Sequence, residues 1–161
     1  MSTDFFQFEA DFISTLRCIP MIVRYKLDTC GIKLKLAHWH QISLSERDTL
    51  VTLPCFTTGE IQNYQDYLKK LVFKYTGTYP SLLPMDPHPP WLDSTTLPKQ
   101  LIEKLETLGA RIILEQWQDL TPLQRFVLVK LSLPSHENKN FPRAMVEFHL
   151  DPPTGSLITN E

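Results

Sequence analysis

The chain has 161 residues, a formal net charge of −2, 42% hydrophobic residues and 21% charged residues, which is typical of a single globular domain. It contains no basic block, so a nucleic-acid partner, whose phosphates Lys and Arg would have to neutralise, is not expected. No apolar run approaches the roughly 20 residues that span a bilayer, and the acidic N-terminal segment does not resemble a signal peptide. We therefore expect a cytoplasmic protein with no membrane partner.

Three cysteines and thirteen prolines are the informative features of the composition. Cys18, Cys30 and Cys55 are odd in number and well separated, so reduced thiols are expected rather than a disulfide framework. Many of the prolines fall in residues 79–91 and 151–153. Such segments cannot be helix interior or central strand. The first cluster is therefore predicted to be a connector, and the second begins a tail.

The chain also repeats itself. Residues 26–53 align with residues 104–131 without a gap, and 10 of the 28 aligned positions are identical. The matches include rare residue types, with Trp39 aligned to Trp117 and a glycine aligned to a glycine. Matches of this kind in one register indicate an internal duplication.

Each copy predicts the same early elements. Pro20 and Pro98 suit the first turn of a helix, where a missing N–H costs nothing. Gly31 and Gly109 fall where a left-handed residue would end that helix. The alternating apolar pattern that follows, clearest in residues 32–36, predicts a short half-buried strand in each copy.

A turn carrying the tryptophan and a second helix complete each copy. Ser43 with Glu46, and Thr121 with Gln124, fit the capping box that begins a helix. A further amphipathic helix is expected from Thr57 towards residue 77, with a shorter equivalent over residues 141–150 in the second copy. Another helix is expected around residues 9–17.

These elements predict a mainly α fold built from two duplicated helix–strand–helix units related by a pseudo-two-fold axis. We expect the two short strands, residues 32–36 and 110–114, to pair as a small antiparallel ribbon, because neither is stable alone. The predicted organisation is a single domain over residues 1–150, with repeat unit one at about 20–75, the proline-rich connector at 79–93, repeat unit two at about 98–150, and a tail at 151–161.

The duplication provides a control for the residues that carry chemistry. Cys30 aligns with Leu108, so that position accepts a plain hydrophobic side chain. His38 and His40 align with glutamines, which indicates solvent-facing polar positions. No ligand spacing typical of zinc is present, so neither a metal nor another cofactor is expected. The three cysteines nevertheless remain candidate redox or cofactor thiols. Arg47 and Arg125, which align with each other in the two copies, are expected to lie along the surface or to pair with a carboxylate.

The best candidates for contact lie in two loop-like segments outside the duplicated units, because loops carry function disproportionately. The candidate partner-binding residues are Asp86, His88 and Trp91 in the first segment and His136, Glu137, Asn138 and Asn140 in the second. A structural role is the alternative, namely helix capping by Ser135 or Asn140 and a rigid proline linker. No catalytic motif nominates a nucleophile or a base, so an enzyme is not expected.

Several segments resemble the nitrate reductase-associated protein family. They are LRCIPMIVRYKLDTCGIKL, the LPC at 53–55, HPPWL at 88–92, LTPLQRFVLVKLS and HENKNF, and the resemblance runs from about residue 5 to 150. The family occurs chiefly in oxygenic photosynthetic bacteria, and its genes lie near those for assimilatory nitrate reductase and molybdopterin synthesis. The resemblance implies a role in producing active nitrate reductase, which carries molybdenum and iron–sulfur cofactors, and it supplies no catalytic residues.

We therefore expect a non-catalytic accessory or assembly factor that contacts nitrate reductase, its partner. The alternative hypothesis is a carrier or sensor of a metal or molybdopterin cofactor that uses the cysteines or histidines. The sequence does not indicate the oligomeric state.

Overall fold

The computed structural model describes residues 5–10, 16–133 and 140–150. The described chain is mainly helical with a small two-stranded antiparallel sheet, which confirms the predicted fold class at that level. The chain divides into two compact units, Met1–Asp86 and Pro87–Glu161, and the division falls inside the proline-rich segment 79–93. Across the described ranges, no helix is both long and apolar enough to cross a membrane.

The first unit packs its elements around two fully buried aromatic side chains, Trp39 and Tyr64. After a 3-10 helix at Gln7–Glu9, the elements are α1 (Met21–Cys30), β1 (Ile32–Lys33), α2 (Leu36–Gln41), α3 (Leu44–Thr52), α4 (Thr58–Thr76) and β2 (Ser81–Leu82). The longest helix, α4, contacts both α1 and α2.

The second unit is helical in its described part. A 3-10 helix at Pro90–Leu92 precedes α5 (Lys99–Leu108), α6 (Leu114–Asp119), α7 (Pro122–Leu131) and α8 (Asn140–Glu147). Its core contains the fully buried Trp117, Phe126 and Phe141. Helix α7 lies at the centre, because it contacts the 3-10 helix, α5 and α8.

The predicted helix starts are confirmed by their capping contacts. The Ser43 hydroxyl accepts the N–H of Glu46 at 3.2 Å, and the Thr121 hydroxyl accepts the N–H of Gln124 at 3.1 Å. Helix α4 begins in the same way at Thr57. Each contact satisfies a backbone donor that the first turn of a helix leaves unpaired.

The predicted glycine ends of the helices are confirmed, whereas the two prolines lie one residue before the first turn in which we expected them. Pro20 and Pro98 directly precede α1 and α5, in extended conformation. Gly31, Gly77 and Gly109 follow the ends of α1, α4 and α5 with φ of 75°, 76° and 65°. Glycine adopts this left-handed conformation without the steric cost that a Cβ atom would add.

Helix α1 has an additional cap that the sequence did not indicate. The carboxylate of Glu9 is almost fully buried, and it accepts the N–H of Met21 at 2.7 Å and that of Phe6 at 3.2 Å. A negative charge at a helix N-terminus is electrostatically favourable. The helix predicted around residues 9–17 lies partly outside the described residues, and Glu9 itself ends a 3-10 helix.

Helices α3 and α4 are joined by one carboxylate. Glu46 forms an ion pair of 3.0 Å with Lys74 and accepts a short hydrogen bond from the hydroxyl of Tyr75. The hydrogen bond from Tyr75, followed by those from Lys74 and Ser43, lowers the pKa of Glu46 to about 2. The charge of Lys74 is therefore offset within the unit.

The predicted pairing of the ribbon is wrong. We expected residues 32–36 to pair with residues 110–114, but β1 pairs with β2, Ile32 opposite Leu82 and Lys33 opposite Ser81. Residues 110–113 are neither helix nor strand, and α6 begins directly after them.

Strand β1 is short because the next helix begins soon after it. Because α2 begins at Leu36, only two residues of the alternating pattern are in a strand, and the segment that follows α4 supplies the partner strand. Pairing of strands that are distant in sequence depends on tertiary packing, which alternation within one strand does not report.

Prolines suit β2 because of the direction in which its N–H groups point. Leu83 donates its N–H to the carbonyl of Gly31 at 2.8 Å. Successive backbone N–H groups of a strand point to opposite sides. The backbone nitrogens of Pro80, Leu82 and Pro84 therefore face away from β1. The missing N–H groups of the two prolines therefore cost no ladder hydrogen bond, and they protect the outer edge from pairing with another chain.

The predicted tryptophan turns are short helices. Trp39 lies in α2 and Trp117 lies in α6, and each helix has six residues. Neither α2 nor α6 begins with a Ser, Thr, Asp or Asn cap, so the usual sequence signal for a helix start is missing. Both indole rings are fully buried, as expected for core residues.

We predict that Gly31→Ala destabilises the protein more than Gly77→Ala. Both glycines have φ near 75°, but a Cβ atom on Gly31 would lie 2.7 Å from Cγ of Met85 and 3.0 Å from the carbonyl oxygen of Leu83, whereas none would come within 4 Å at Gly77. Gly77→Ala should cost about 1–2 kcal/mol from the left-handed conformation. Gly31→Ala should cost at least about 1 kcal/mol more from overpacking.

Urea unfolding of the two variants and the wild type measures this difference. Equal losses of unfolding free energy in the two variants would show that the approach of Met85 and Leu83 to Gly31 does not constrain the ribbon.

Candidate functional site

Each unit contains a buried tryptophan paired with an arginine, half-buried at Arg47 and buried at Arg125, and both members of the pair bind backbone carbonyl groups. In the first unit, the indole N–H of Trp39 donates to the carbonyl of Leu16 at 2.7 Å. The guanidinium of Arg47 lies 5.7 Å from the centre of the Trp39 ring. It donates to the carbonyls of Leu16, His40 and Ile42 at 3.2, 2.8 and 2.9 Å. The pair therefore fixes the segment before α1 against α2 and α3.

The pair in the second unit fixes the part of the proline-rich segment that belongs to this unit, residues 87–93, which we call the proline-rich loop. The indole N–H of Trp117 donates to the carbonyl of Asp93 at 2.9 Å. The guanidinium of Arg125, which is only 6% exposed, lies 5.8 Å from the Trp117 ring centre. It donates to the carbonyls of Trp91, Leu120 and Trp117 at 2.7, 2.8 and 3.2 Å. We expected both arginines to lie along the surface or pair with carboxylates, but their principal partners are carbonyl groups.

These bonds hold the C-terminal end of the first predicted contact segment, at Trp91 and Asp93. Trp91 is half-buried, and its ring meets that of Phe126 edge-on, with 4.9 Å between ring centres. His88 is exposed, and the side chain of Leu92 is 55% exposed. Trp91 thus anchors the loop, while His88 and Leu92 are accessible to a partner. Asp86 is also exposed and belongs to the first unit.

Most of the second predicted contact segment lies outside the described residues. His136, Glu137 and Asn138 belong to that undescribed part of the chain. Asn140 is half-buried and is the first residue of α8, so its position fits the structural alternative of a helix start.

The candidate thiols divide into two classes. Cys18 is exposed, whereas Cys30 and Cys55 are buried. The sulfur of Cys30 lies 3.7 Å from the carbonyl oxygen of Leu27, and that of Cys55 lies 3.9 Å from the carbonyl oxygen of Lys26. Both contacts are to adjacent carbonyls of α1, so the structure brings these two cysteines into one buried cluster.

Both buried thiols are held in the protonated form. Burial, and next the neighbouring Cys55, raise the pKa of Cys30 to about 12. Burial raises the pKa of Cys55 to about 11, although the nearby charge of Lys26 lowers it. Because the thiolate is the reactive species and the metal ligand, these two groups are poor nucleophiles and poor ligands at neutral pH.

A buried lysine lies beside this cluster. The ammonium of Lys26 donates to the carbonyls of Val51 and Leu53 at 2.6 and 2.8 Å, and it lies 5.8 Å from the ring centre of Tyr64. The Tyr64 hydroxyl donates to the carbonyl of Leu50 at 2.8 Å, and burial raises its pKa well above the usual value. These donors satisfy carbonyls that the end of α3 leaves unpaired. Lysine on the apolar face of α1 was the sequence signal for this role.

The histidines of α2 do not form a ligand set. The Nε2 atom of His40 lies 2.7 Å from the carbonyl oxygen of Arg17, and because a carbonyl only accepts, this nitrogen is the donor. His38 is half-buried, and its Nδ1 has no hydrogen-bond partner among the described residues. In the portion of the chain that the structure describes, no group of three or more His, Cys, Asp or Glu side chains could hold a metal ion.

We predict that only Cys18 reacts rapidly with a thiol reagent such as Ellman's reagent in the folded protein. At pH 8 roughly one in a thousand Cys55 side chains would be ionised, given a pKa near 11. Cys18→Ser should therefore abolish the fast reaction, whereas Cys30→Ala and Cys55→Ala should leave it unchanged. The slow reaction should accelerate as the pH rises towards 11, because the thiolate fraction increases. A second fast equivalent in native Cys18→Ser protein would contradict this account.

Comparison with known proteins returned one family. The family model described as conserved nitrate reductase-associated protein matches residues 5–148 of the chain. No curated protein and no solved structure was found to match it.

Proposed function

The chain belongs to the conserved nitrate reductase-associated protein family, and from this premise we propose that it is a non-catalytic accessory factor for nitrate reductase. In this proposal it acts in the cytoplasm and is needed for the production of active, molybdenum-dependent enzyme. It acts by contact with the reductase or with an intermediate in its assembly. The observation that carries the proposal is the extent of the family match, which covers both compact units.

The state of the thiols favours this proposal over a cofactor carrier. A carrier that used Cys30 and Cys55 would need thiolates that a metal or cofactor can reach. Both side chains are at most 3% exposed, and burial raises the pKa of each. Their contacts are instead those of small apolar side chains in a core.

The exposed part of the proline-rich loop is a suitable contact surface. Its backbone is already fixed by the bonds from Arg125 and Trp117 to Trp91 and Asp93. A partner that binds His88 and Leu92 would therefore lose little free energy to the ordering of the loop. We include Asp86, His136, Glu137, Asn138 and Asn140 in the proposed contact set on sequence grounds.

We also propose that the chain arose by internal duplication. Four features recur within each unit at equivalent positions. They are the proline before the first helix, the left-handed glycine after it, the buried tryptophan in a six-residue helix, and the arginine that binds carbonyl groups. Positions that differ between the two copies, such as Cys30 and Leu108, would then mark where the copies diverged.

Deletion of the gene tests the proposed function. We expect the deletion strain to lose most of its nitrate reductase activity and the tagged protein to copurify with the reductase. The molybdenum and iron contents of the reductase from that strain would distinguish failure of cofactor insertion from failure of folding. Full activity without this protein, together with no copurification, would rule the proposal out.

A matched pair of variants tests the loop. Leu92→Ser should reduce copurification and complementation, whereas Ile102→Ser should not. Both side chains are exposed in the second unit, at 55% and 43%, but only Leu92 belongs to the loop. Equal behaviour of the two variants would remove the loop from the contact surface.

A further inference from the structure

Two aromatic rings stack on each other in an exposed position at the end of α4. Phe73 is 46% exposed and Tyr79 is 65% exposed. Their ring centres are 4.7 Å apart, and the ring planes differ by 27°. Single exposed apolar residues are common on proteins, but stacked pairs of large exposed aromatics concentrate binding energy and favour interfaces.

The second strand carries another exposed apolar side chain, on the other face of the ribbon from Lys33. Leu82, three residues after Tyr79, is 62% exposed. It lies directly opposite Ile32, whose side chain is fully buried, and paired residues of an antiparallel ribbon share a face, so Leu82 and Ile32 lie on one face and Lys33 and Ser81 on the other. The core-facing side of the ribbon is therefore covered at β1 and open to solvent at β2.

Lysines outnumber acidic residues in this part of the chain, where the exposed Asp66 lies one helical turn before Lys69 and Lys70. Residues 67–85 contain three lysines and no Asp or Glu, although the whole chain has a net charge of −2. Lys74 is paired with Glu46. Lys69 and Lys70 lie one helical turn before Phe73, and therefore on the same side of α4. Lys33 lies opposite Ser81 in the ribbon and is exposed. Unlike Lys74, the other three lysines (Lys33, Lys69 and Lys70) form no ion pair with another described residue.

We propose that this aromatic–lysine surface, formed by Phe73, Tyr79, Lys33, Lys69 and Lys70, docks an acidic segment of the partner protein that carries an apolar side chain. The proposal rests on the accessory function above and names the chemistry of the partner. The apolar side chain would pack on the aromatic pair. Acidic groups beside it would face the lysines, as complementary charges do across interfaces.

Charge distinguishes this occupant from a second copy of the chain. A symmetric dimer through this surface would place the same lysines opposite one another, and like charges in an interface are costly. An acidic segment removes that cost. A single-stranded nucleic acid would also use aromatics and lysines. However, Phe73 and Tyr79 already cover one face of each other, and few phosphates could be neutralised by three lysines.

The two halves of the surface should affect binding kinetics differently. Lys33 and Lys70 are exposed and Lys69 is half-buried, and their charges should accelerate association at low salt. The aromatic pair should set the dissociation rate, because truncation of buried interface anchors mainly increases koff. A general loss of folding would not separate the two rates in this way.

The experiment is a kinetic measurement of binding to nitrate reductase purified from the same organism, at about 20 and about 200 mM NaCl. Lys70→Glu should lower kon roughly tenfold at low salt and reduce its salt dependence. Phe73→Ser with Tyr79→Ser should weaken Kd at least about tenfold, mostly through koff. Thermal melts monitored by circular dichroism establish that the variants are folded, and Lys70→Glu changes only an exposed side chain.

Matched controls are available elsewhere in the chain. Phe56 is 74% exposed and lies between α3 and α4, so Phe56→Ser removes a comparable aromatic outside the surface. Lys99→Glu makes the same change in net charge as Lys70→Glu, but in the second unit. Both controls should bind the reductase like the wild type.

The outcomes separate the two proposals. If the wild type binds the reductase and the surface variants bind equally well, this surface is wrong and the accessory function stands. If the wild type does not bind at all, both fall. The surface assignment is also overturned if the Phe73 and Tyr79 substitutions convert a dimer into a monomer. It is equally overturned if the wild type binds a single-stranded dT20 oligonucleotide and the Phe73 and Tyr79 substitutions abolish that binding.

Discussion

Bonds from side-chain donors to backbone carbonyl groups stabilise each of the two units internally. Carbonyls at helix ends and in irregular segments have no backbone partner, and a buried polar group without a hydrogen bond costs free energy. Arg47 and Arg125 each bind three carbonyls, of which that of Trp117 also accepts the N–H of Leu120, and Lys26 binds two. The path of the segment before α1, the end of α3 and the shape of the proline-rich loop all depend on these donors.

The local elements were largely predictable from sequence, because their causes lie within a few residues. The capping boxes at Ser43, Thr57 and Thr121 and the left-handed glycines follow from contacts between near neighbours. The ribbon was not predictable, because β1 has only two residues and its partner strand is distant in sequence. The six-residue helices around the tryptophans were missed because they carry no capping residue at their start.

The candidate sites were predicted less well than the fold. The alignment of residues 26–53 with residues 104–131 paired Arg47 with Arg125, but it did not indicate the carbonyls that they bind. It correctly indicated that Cys30 accepts a hydrophobic environment, which the buried thiol confirms. The stacking of Phe73 on Tyr79 joins a helix to the proline-rich segment. Helical periodicity could not report that contact, because it crosses the end of the helix. The features that favour a contact function are thus properties of the folded surface.

Substitution of Arg125 tests most directly the claim that donor-to-carbonyl bonds stabilise each unit. Arg125→Met keeps much of the side-chain volume but removes a donor from three carbonyls, of which that of Trp117 keeps the N–H of Leu120, so unfolding free energy should fall by about 3 kcal/mol. Hydrogen exchange should accelerate most at the amides of Leu92 and Asp93, which close the 3-10 helix that Arg125 fixes. Arg111→Met, at an exposed position, is the control. Unchanged stability and exchange in Arg125→Met would contradict the account.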